Sequence, residues 1–137
     1  MESPLDKYLE EHCSERNEAL EWLERQTNIR TNYPRMLTGR VQGEFLYMIT
    51  RMTAPANVLE IGTFTGYSAI CMALGLPEGG HIDTLEINDE LEDLILEGFE
   101  RAGVPVISCS YSFRILREPA FLAALSLFEE FTDAPKA

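Results

Sequence analysis

The 137-residue chain has little positive charge, few cysteines and no long apolar run. Its 11 lysines and arginines stand against 23 aspartates and glutamates, which gives a formal net charge of -12. Sequence-independent binding to nucleic acid or to an anionic membrane needs a basic face, so this charge argues against both partners. Four arginines between positions 25 and 40 leave a local basic patch open, although solvated surface is the plainer interpretation.

The three cysteines, Cys13, Cys71 and Cys109, lie far apart and form no CxxC pair. An odd, unclustered set predicts reduced thiols rather than a disulfide framework or a zinc site. No apolar run approaches the roughly 20 residues that a membrane-spanning helix needs, and the first residues lack the pattern of a signal peptide. We therefore expect a cytoplasmic, single-domain protein that is long enough to bury a core.

The first 55 residues predict a helical N-terminal cap. Apolar residues recur at helical spacing between residues 4 and 26, which indicates two amphipathic helices, with Ser14 as a possible N-cap of the second. Residues 26–40 are polar and irregular, so a loop is expected there. Helical spacing returns at residues 45–52 and ends before Pro55.

Residues 56–103 predict a βαβα unit with a parallel sheet. The expected elements are a strand at 57–61, a helix at 67–76, a strand at 81–87 and a helix at 89–102 that ends at Gly103. In the tail, residues 104–137, the pattern favours a third strand at 104–108 and a helix at 118–131. A doubly wound sheet usually has five or six strands, so we expect an incomplete α/β sheet.

The loop between the first strand and the next helix reads Gly-Thr-Phe-Thr-Gly-Tyr at residues 62–67. A dinucleotide site has the pattern GxGxxG, in which the second glycine lets the backbone approach a pyrophosphate. Phe64 stands at that position, and its bulk disfavours the pyrophosphate of an NAD-dependent dehydrogenase. The loop instead suits a smaller ligand held beside Gly62.

Two acidic residues define the charge of that ligand. Glu86 ends the second strand, where a carboxylate can accept the hydroxyl groups of a ribose. Glu60 places a second negative charge beside the loop, which repels phosphate and attracts an amino or sulfonium group. A nucleoside with a cationic tail fits both carboxylates, and S-adenosylmethionine is such a molecule. The alternative is that Glu60 is a capping carboxylate and Glu86 a solvated strand end.

The segment from residue 36 to residue 103 resembles the catechol and caffeoyl-CoA type O-methyltransferases. Residues 58–68, VLEIGTFTGYS, are similar to the first motif of that family almost residue for residue. Three further stretches resemble it: MLTGRVQGEFL at 36–46, LPEGG at 76–80 and LEIN at 85–88. The resemblance implies a Rossmann-like S-adenosylmethionine-dependent methyltransferase fold with an incomplete parallel sheet and N-terminal helices. It also implies a small catechol-like acceptor and a homodimer.

Carried over by position, the resemblance implies a set of residues that bind S-adenosylmethionine. Thr38 would contact the methionine end of the cofactor, and Glu86 would bind its ribose. Its amino and carboxylate groups would be held by four residues around the loop: Glu60, Gly62, Thr63 and Ser68.

The catalytic half of the family pattern is not evident after residue 103. Members of this family hold a divalent cation, usually Mg²⁺, with Asp and Asn side chains, and the cation activates the acceptor oxygen. Only Asp133 faintly resembles one of these ligands, so the sequence predicts no metal residue.

Two interpretations follow: an O-methyltransferase, or a truncated and inactive remnant that binds S-adenosylmethionine. A third interpretation is an interaction module that binds partners through its acidic N-terminal helices. Modified tRNA stays open as a methyl acceptor, although the negative charge of the chain disfavours it.

Overall fold

The computed structural model describes residues 3–14, 17–104 and 111–115. Three helices form its N-terminal part: α1 (Pro4–His12), α2 (Glu18–Arg30) and α3 (Arg40–Thr53), with a short 3₁₀ turn at Pro34–Met36 between the last two. The central part has strands β1 (Asn57–Ile61) and β2 (His81–Glu86) and helices α4 (Tyr67–Gly75) and α5 (Glu92–Arg101). A third strand, β3 (Tyr111–Ile115), completes the described sheet.

The start and the end of α2 both differ from the sequence prediction. Asn17, not Ser14, is the N-cap, and its side-chain oxygen accepts the N–H groups of Ala19 at 2.9 Å and Leu20 at 3.3 Å. The helix also continues past residue 26 through a polar segment that the pattern favoured as a loop. Thr27 ties this turn to the core, because it is fully buried, its hydroxyl donates to the carbonyl of Leu23 at 2.7 Å and it lies 2.9 Å from the hydroxyl of Thr65.

The sheet is parallel and has the order β1-β2-β3. In its register, Glu60 of β1 lies opposite Thr84 of β2, and Glu86 lies opposite Ile115 of β3. The prediction of an incomplete α/β sheet with N-terminal helices is confirmed for the described residues. The carboxyl ends of β1 and β2 therefore lie side by side, as ligand sites of open α/β sheets require.

The third strand of the described sheet is β3 at Tyr111–Ile115. Of the strand predicted at 104–108 the structure describes only Val104, whose N–H donates to the carbonyl of Phe99 at 2.9 Å and so closes the end of α5. Gly103, with a φ of 68°, makes this left-handed helix end possible. Residues 105–110 and the predicted helix at 118–131 lie outside the described residues.

One apolar core joins the helical part to the sheet. It contains Leu23 of α2, Ile70 of α4, and Ile95 and Phe99 of α5, with 3% of each side chain exposed or less. Gly98 lets α2 approach α5 closely, since a Cβ there would lie 3.3 Å from a methyl group of Leu23. The core fixes α4, and hence the loop that precedes it, relative to β2.

Candidate functional site

The loop from Gly62 to Gly66 joins β1 to α4 and is fixed to the end of β2. The N–H groups of Gly62 and Thr63 both donate to the carbonyl of Leu85, at 2.8 and 3.0 Å. Gly62 and Gly66 have φ values of 98° and 93°, which glycine adopts without steric cost. Phe64, at a φ of 51°, adopts the left-handed conformation without being glycine, which indicates a locally strained backbone.

The carboxylate of Glu86 is held by main-chain N–H groups. Its Oε2 accepts the N–H of Phe64 at 2.5 Å, and its Oε1 accepts the N–H groups of Ile87 at 2.9 Å and Asn88 at 3.0 Å. The residue is 7% exposed. The residue with the left-handed backbone, Phe64, is thus also the one whose N–H bonds the carboxylate from the loop.

The carboxylate of Glu60 is held by side-chain hydroxyl groups. Ser68, at the start of α4, donates to Oε1 at 2.5 Å, and Thr84 of β2 donates to Oε2. The hydroxyl of Thr84 also lies 2.6 Å from that of Thr63. Burial raises the pKa of Glu60, the hydroxyls of Ser68 and Thr84 counteract this, and the charge of Glu86 raises it further.

The predicted site residues fall into one cluster and one outlier. Ser68 donates directly to Glu60, and Thr63 is joined to Glu60 through the hydroxyl of Thr84. Gly62 donates to the carbonyl of Leu85, the residue before Glu86. The side chain of Thr63 is only 2% exposed. Its contact with the cluster is the hydrogen bond with Thr84. Thr38 is half-buried just before Gly39, the N-cap of α3, and no hydrogen bond links it to the cluster within the described part of the chain.

Two hydrogen-bond donors of the site, the hydroxyl of Thr84 and the N–H of Phe64, were not predicted from the sequence. Thr84 lies two residues before Glu86, and strand alternation puts both on one face of β2, so the period of two was a usable signal. The N–H of Phe64 had no such signal, because the side chain at that position gives no indication of where its main-chain donor points.

Exposed apolar side chains flank the two carboxylates. Ile61, the last residue of β1, is 65% exposed, and Ile87, directly after β2, is 69% exposed. Apolar surface beside fixed acceptors is typical of a site for a small molecule that has both a flat apolar part and hydroxyl groups.

The described residues contain no group of three or more His, Cys, Asp or Glu side chains that could hold a metal ion. Glu60 and Glu86 accept three N–H and two O–H donors between them, and no third metal-ligating side chain joins them among the described residues. These residues do not fit a magnesium site. Asp133 lies outside the described part of the chain.

None of the described helices is both long and apolar enough to cross a membrane.

Comparisons with known proteins agree on one family. The family model described as O-methyltransferase matches residues 10–112. Caffeoyl-CoA O-methyltransferase 1 of Arabidopsis thaliana is 42% identical over 69 residues, which are 50% of this chain and 27% of that protein. The chain therefore matches little more than a quarter of that relative's length.

Solved structures give the same result for the fold. The O-methyltransferase from Bacillus cereus, in complex with SAH, has a TM-score of 0.78 at 28% identity, over 92% of this chain and 54% of that one. TomG, an O-methyltransferase from Streptomyces achromogenes in complex with SAM, has a TM-score of 0.76 at 26% identity, over 97% and 55%. The chain spans about half the length of each. Because the family match covers most of the chain and includes the loop and both carboxylates, the chain belongs to the O-methyltransferase family.

Proposed function

We propose that the ends of β1 and β2 bind S-adenosylmethionine, and that the function of the protein is methyl transfer from it to a hydroxyl group of a small, catechol-like acceptor. The observation that carries the proposal is the pair of carboxylates fixed on either side of one glycine-bracketed loop. SAH and SAM are the ligands of the two similar solved structures, which supports the same choice here.

Glu86 is the proposed acceptor for the ribose. A carboxylate offers about four acceptor positions, and the N–H groups of Phe64, Ile87 and Asn88 use three. One ribose hydroxyl therefore binds to Oε2 with no change in the protein. A second hydroxyl binds in place of one of the N–H groups. Ile87, exposed beside this carboxylate, offers apolar contact to the adenine ring.

Glu60 is the proposed partner of the cationic methionine end. Each of its oxygens accepts one hydroxyl, so each keeps an acceptor position for an ammonium group. The N–H of Gly62 is already bonded to Leu85, so its carbonyl is the group left to bind the ligand. The methionine carboxylate lies at the N-terminus of α4, near Ser68, where free N–H groups favour an anion. Thr38 closes the site from the start of α3.

The described residues bind and orient the methyl donor. In the reaction the acceptor oxygen forms a bond to the methyl carbon while the bond from that carbon to sulfur breaks, and the acceptor proton leaves to a base. Alignment of the donor removes much of the entropic barrier of such a displacement. We assign no described residue to the base, and we derive no step through a metal ion.

We further propose that the protein is a cytoplasmic homodimer. Four apolar residues of α3 lie in one row at spacing i, i+3, i+4 and i+7, and each is 41% to 77% exposed: Phe45, Met48, Ile49 and Met52. Such a row favours a second copy of the chain over water. Sedimentation at micromolar concentration as a 15.5 kDa monomer would overturn this part of the proposal.

Calorimetric titration with S-adenosylmethionine tests the binding site. We expect micromolar affinity, a loss of binding in Glu86→Ala, and wild-type affinity in the control Glu90→Gln, an exposed carboxylate in the 3₁₀ turn that follows β2. A methylation assay with a catechol and magnesium then tests catalysis. Binding without turnover overturns the proposal of methyl transfer and leaves a chain that only binds the donor. Absence of binding overturns both the proposed binding site and the proposed methyl transfer. Binding of NAD instead favours a dehydrogenase.

A further inference from the structure

A line of three hydroxyl groups and one carboxylate runs through the base of the site. In order, it consists of Thr63, Thr84, Glu60 and Ser68. Thr63 and Thr84 are 2% and 3% exposed, so both hydroxyls lie away from solvent and depend on each other for partners. Thr84 lies opposite Glu60 in the register of the sheet, which places its side chain next to the carboxylate.

The directions of these hydrogen bonds follow from the number of protons. A hydroxyl group has one proton, and Thr84 donates its proton to Glu60. The 2.6 Å contact between Thr63 and Thr84 must then be a donation from Thr63. A charged carboxylate at position 60 thus orients both threonines. A neutral carboxyl group could reverse the line, because it carries a proton of its own to donate.

We propose that Thr84, supported by Thr63, is a positioning residue that orients the Glu60 carboxylate and keeps it charged. The part of this inference that concerns the methyl donor rests on the proposed function. The part that concerns Glu60 itself does not, since the line of hydrogen bonds is present without any ligand.

The surroundings of Glu60 explain why it needs these donors. Burial and the negative charge of Glu86 both raise its pKa, whereas the hydroxyls of Ser68 and Thr84 lower it. The thiol of Cys71 on α4 is also nearby, and burial, together with Glu44 of α3 and Glu60, raises its pKa to about 12, so it stays neutral. These groups supply no positive charge to Glu60. Hydroxyl donors therefore hold the charged form.

The test is a ¹³C NMR titration of the Glu60 side chain in the ligand-free protein. Thr84→Val keeps the size of the side chain and removes the donor, so we expect the titration midpoint of Glu60 to rise by about one pH unit, a change of about tenfold in its acid dissociation constant. Thr84→Ser restores the donor and the wild-type midpoint. Thr50→Val is the matched control, because that buried hydroxyl donates to Leu46 within α3. An unchanged midpoint in Thr84→Val overturns the inference.

A second variant covers the case in which Thr84→Val fails to fold. Thr63→Val removes the far donor and leaves Thr84 bonded to Glu60, so a smaller rise in the same direction, about twofold to threefold in the acid dissociation constant, is expected. No rise in Thr63→Val then overturns the inference.

The ligand arm uses the pH dependence of S-adenosylmethionine binding. Its acid limb moves to higher pH in Thr84→Val and returns in Thr84→Ser. An acid limb that stays in place overturns the link between Thr84 and the donor. A wild-type protein that binds no S-adenosylmethionine overturns the proposed function and leaves the NMR result standing.

Discussion

The two carboxylates of the site are held in opposite ways. Glu86 accepts three main-chain N–H groups, whereas Glu60 accepts two side-chain hydroxyls, from Ser68 and Thr84. Main-chain donors belong to the fold and survive any substitution that leaves the backbone in place. Hydroxyl donors are lost with one methyl-for-hydroxyl exchange. The ribose side of the site is thus set by the loop, and the cationic side by individual side chains.

The way in which Glu60 is held has an electrostatic cost. Burial raises the pKa of Glu60, and its hydroxyl partners only counteract that effect. Keeping a charge at Glu60 therefore costs stability, as charges at functional sites commonly do. The contrast predicts that neutralising the two carboxylates has opposite effects on folding.

Glu86→Ala is expected to have the largest effect. It removes the hydrogen bonds from the N–H groups of Phe64, Ile87 and Asn88 to a carboxylate, and a hydrogen bond to a charged group contributes roughly 1.5–3 kcal/mol. We expect the free energy of unfolding to fall by about 3 kcal/mol in urea titrations, and S-adenosylmethionine affinity to fall about 100-fold by calorimetry. A variant with wild-type affinity would contradict the assignment of Glu86 to the ribose.

Glu60→Gln is expected to weaken binding while it stabilises the fold. The raised pKa means that the native state binds more protons than the unfolded state above the ordinary value of 4.5. Wild-type stability therefore falls as pH rises from about 4.5 to the native pKa, and the neutral side chain removes this fall. At pH 7 we expect a gain on the order of 1 kcal/mol in unfolding free energy and about tenfold weaker donor binding.

The control for Glu60→Gln is pH itself. At pH 4, below both pKa values of Glu60, wild type and variant should unfold at nearly the same urea concentration. A difference that is constant from pH 4 to pH 7 would mean that packing, and not the charge, separates the two proteins.

Phe64 gives the smallest effect and tests the loop that anchors Glu86. Its φ of 51° costs a residue with a Cβ roughly 1–2 kcal/mol, and glycine is free of that cost. Phe64→Gly and Phe64→Ala both lose the ring, so the glycine variant should be more stable than the alanine variant by about 1 kcal/mol in urea. Equal stabilities would contradict the strain. New NAD affinity in Phe64→Gly would show that the Phe64 side chain is what excludes a pyrophosphate from this loop.

The central elements were predictable from sequence because local pattern and tertiary structure agree there. The strand at 57–61 and the helix that starts at Tyr67 are bounded by the same glycines in sequence and structure. The α2 helix shows the opposite case. Its polar last turn has no apolar pattern, and the buried hydrogen bond between Thr27 and Thr65, 38 residues apart, is what keeps it helical.

Residue types in the site were predictable, but the bonds between them were not. Spacing alone put Glu60 and Glu86 at neighbouring strand ends. The role of Thr84 depends on the register of β1 against β2, which a single sequence does not give. The end of α5 depends on the main-chain hydrogen bond from Val104 to Phe99, which the apolar pattern of the segment does not indicate.

The alternation of β2 has a consequence for how this gene tolerates insertions and deletions. Thr84 and Glu86 occupy one face of a strand in which the next residue always points the other way. Adding or removing one codon inside His81–Glu86 would exchange Thr84 for a neighbour and disable both subsites at once. The turn before the strand differs, because Glu78 and Gly79 are exposed and precede the paired residues of β2. A peptide tag or a fluorescent label belongs at that turn.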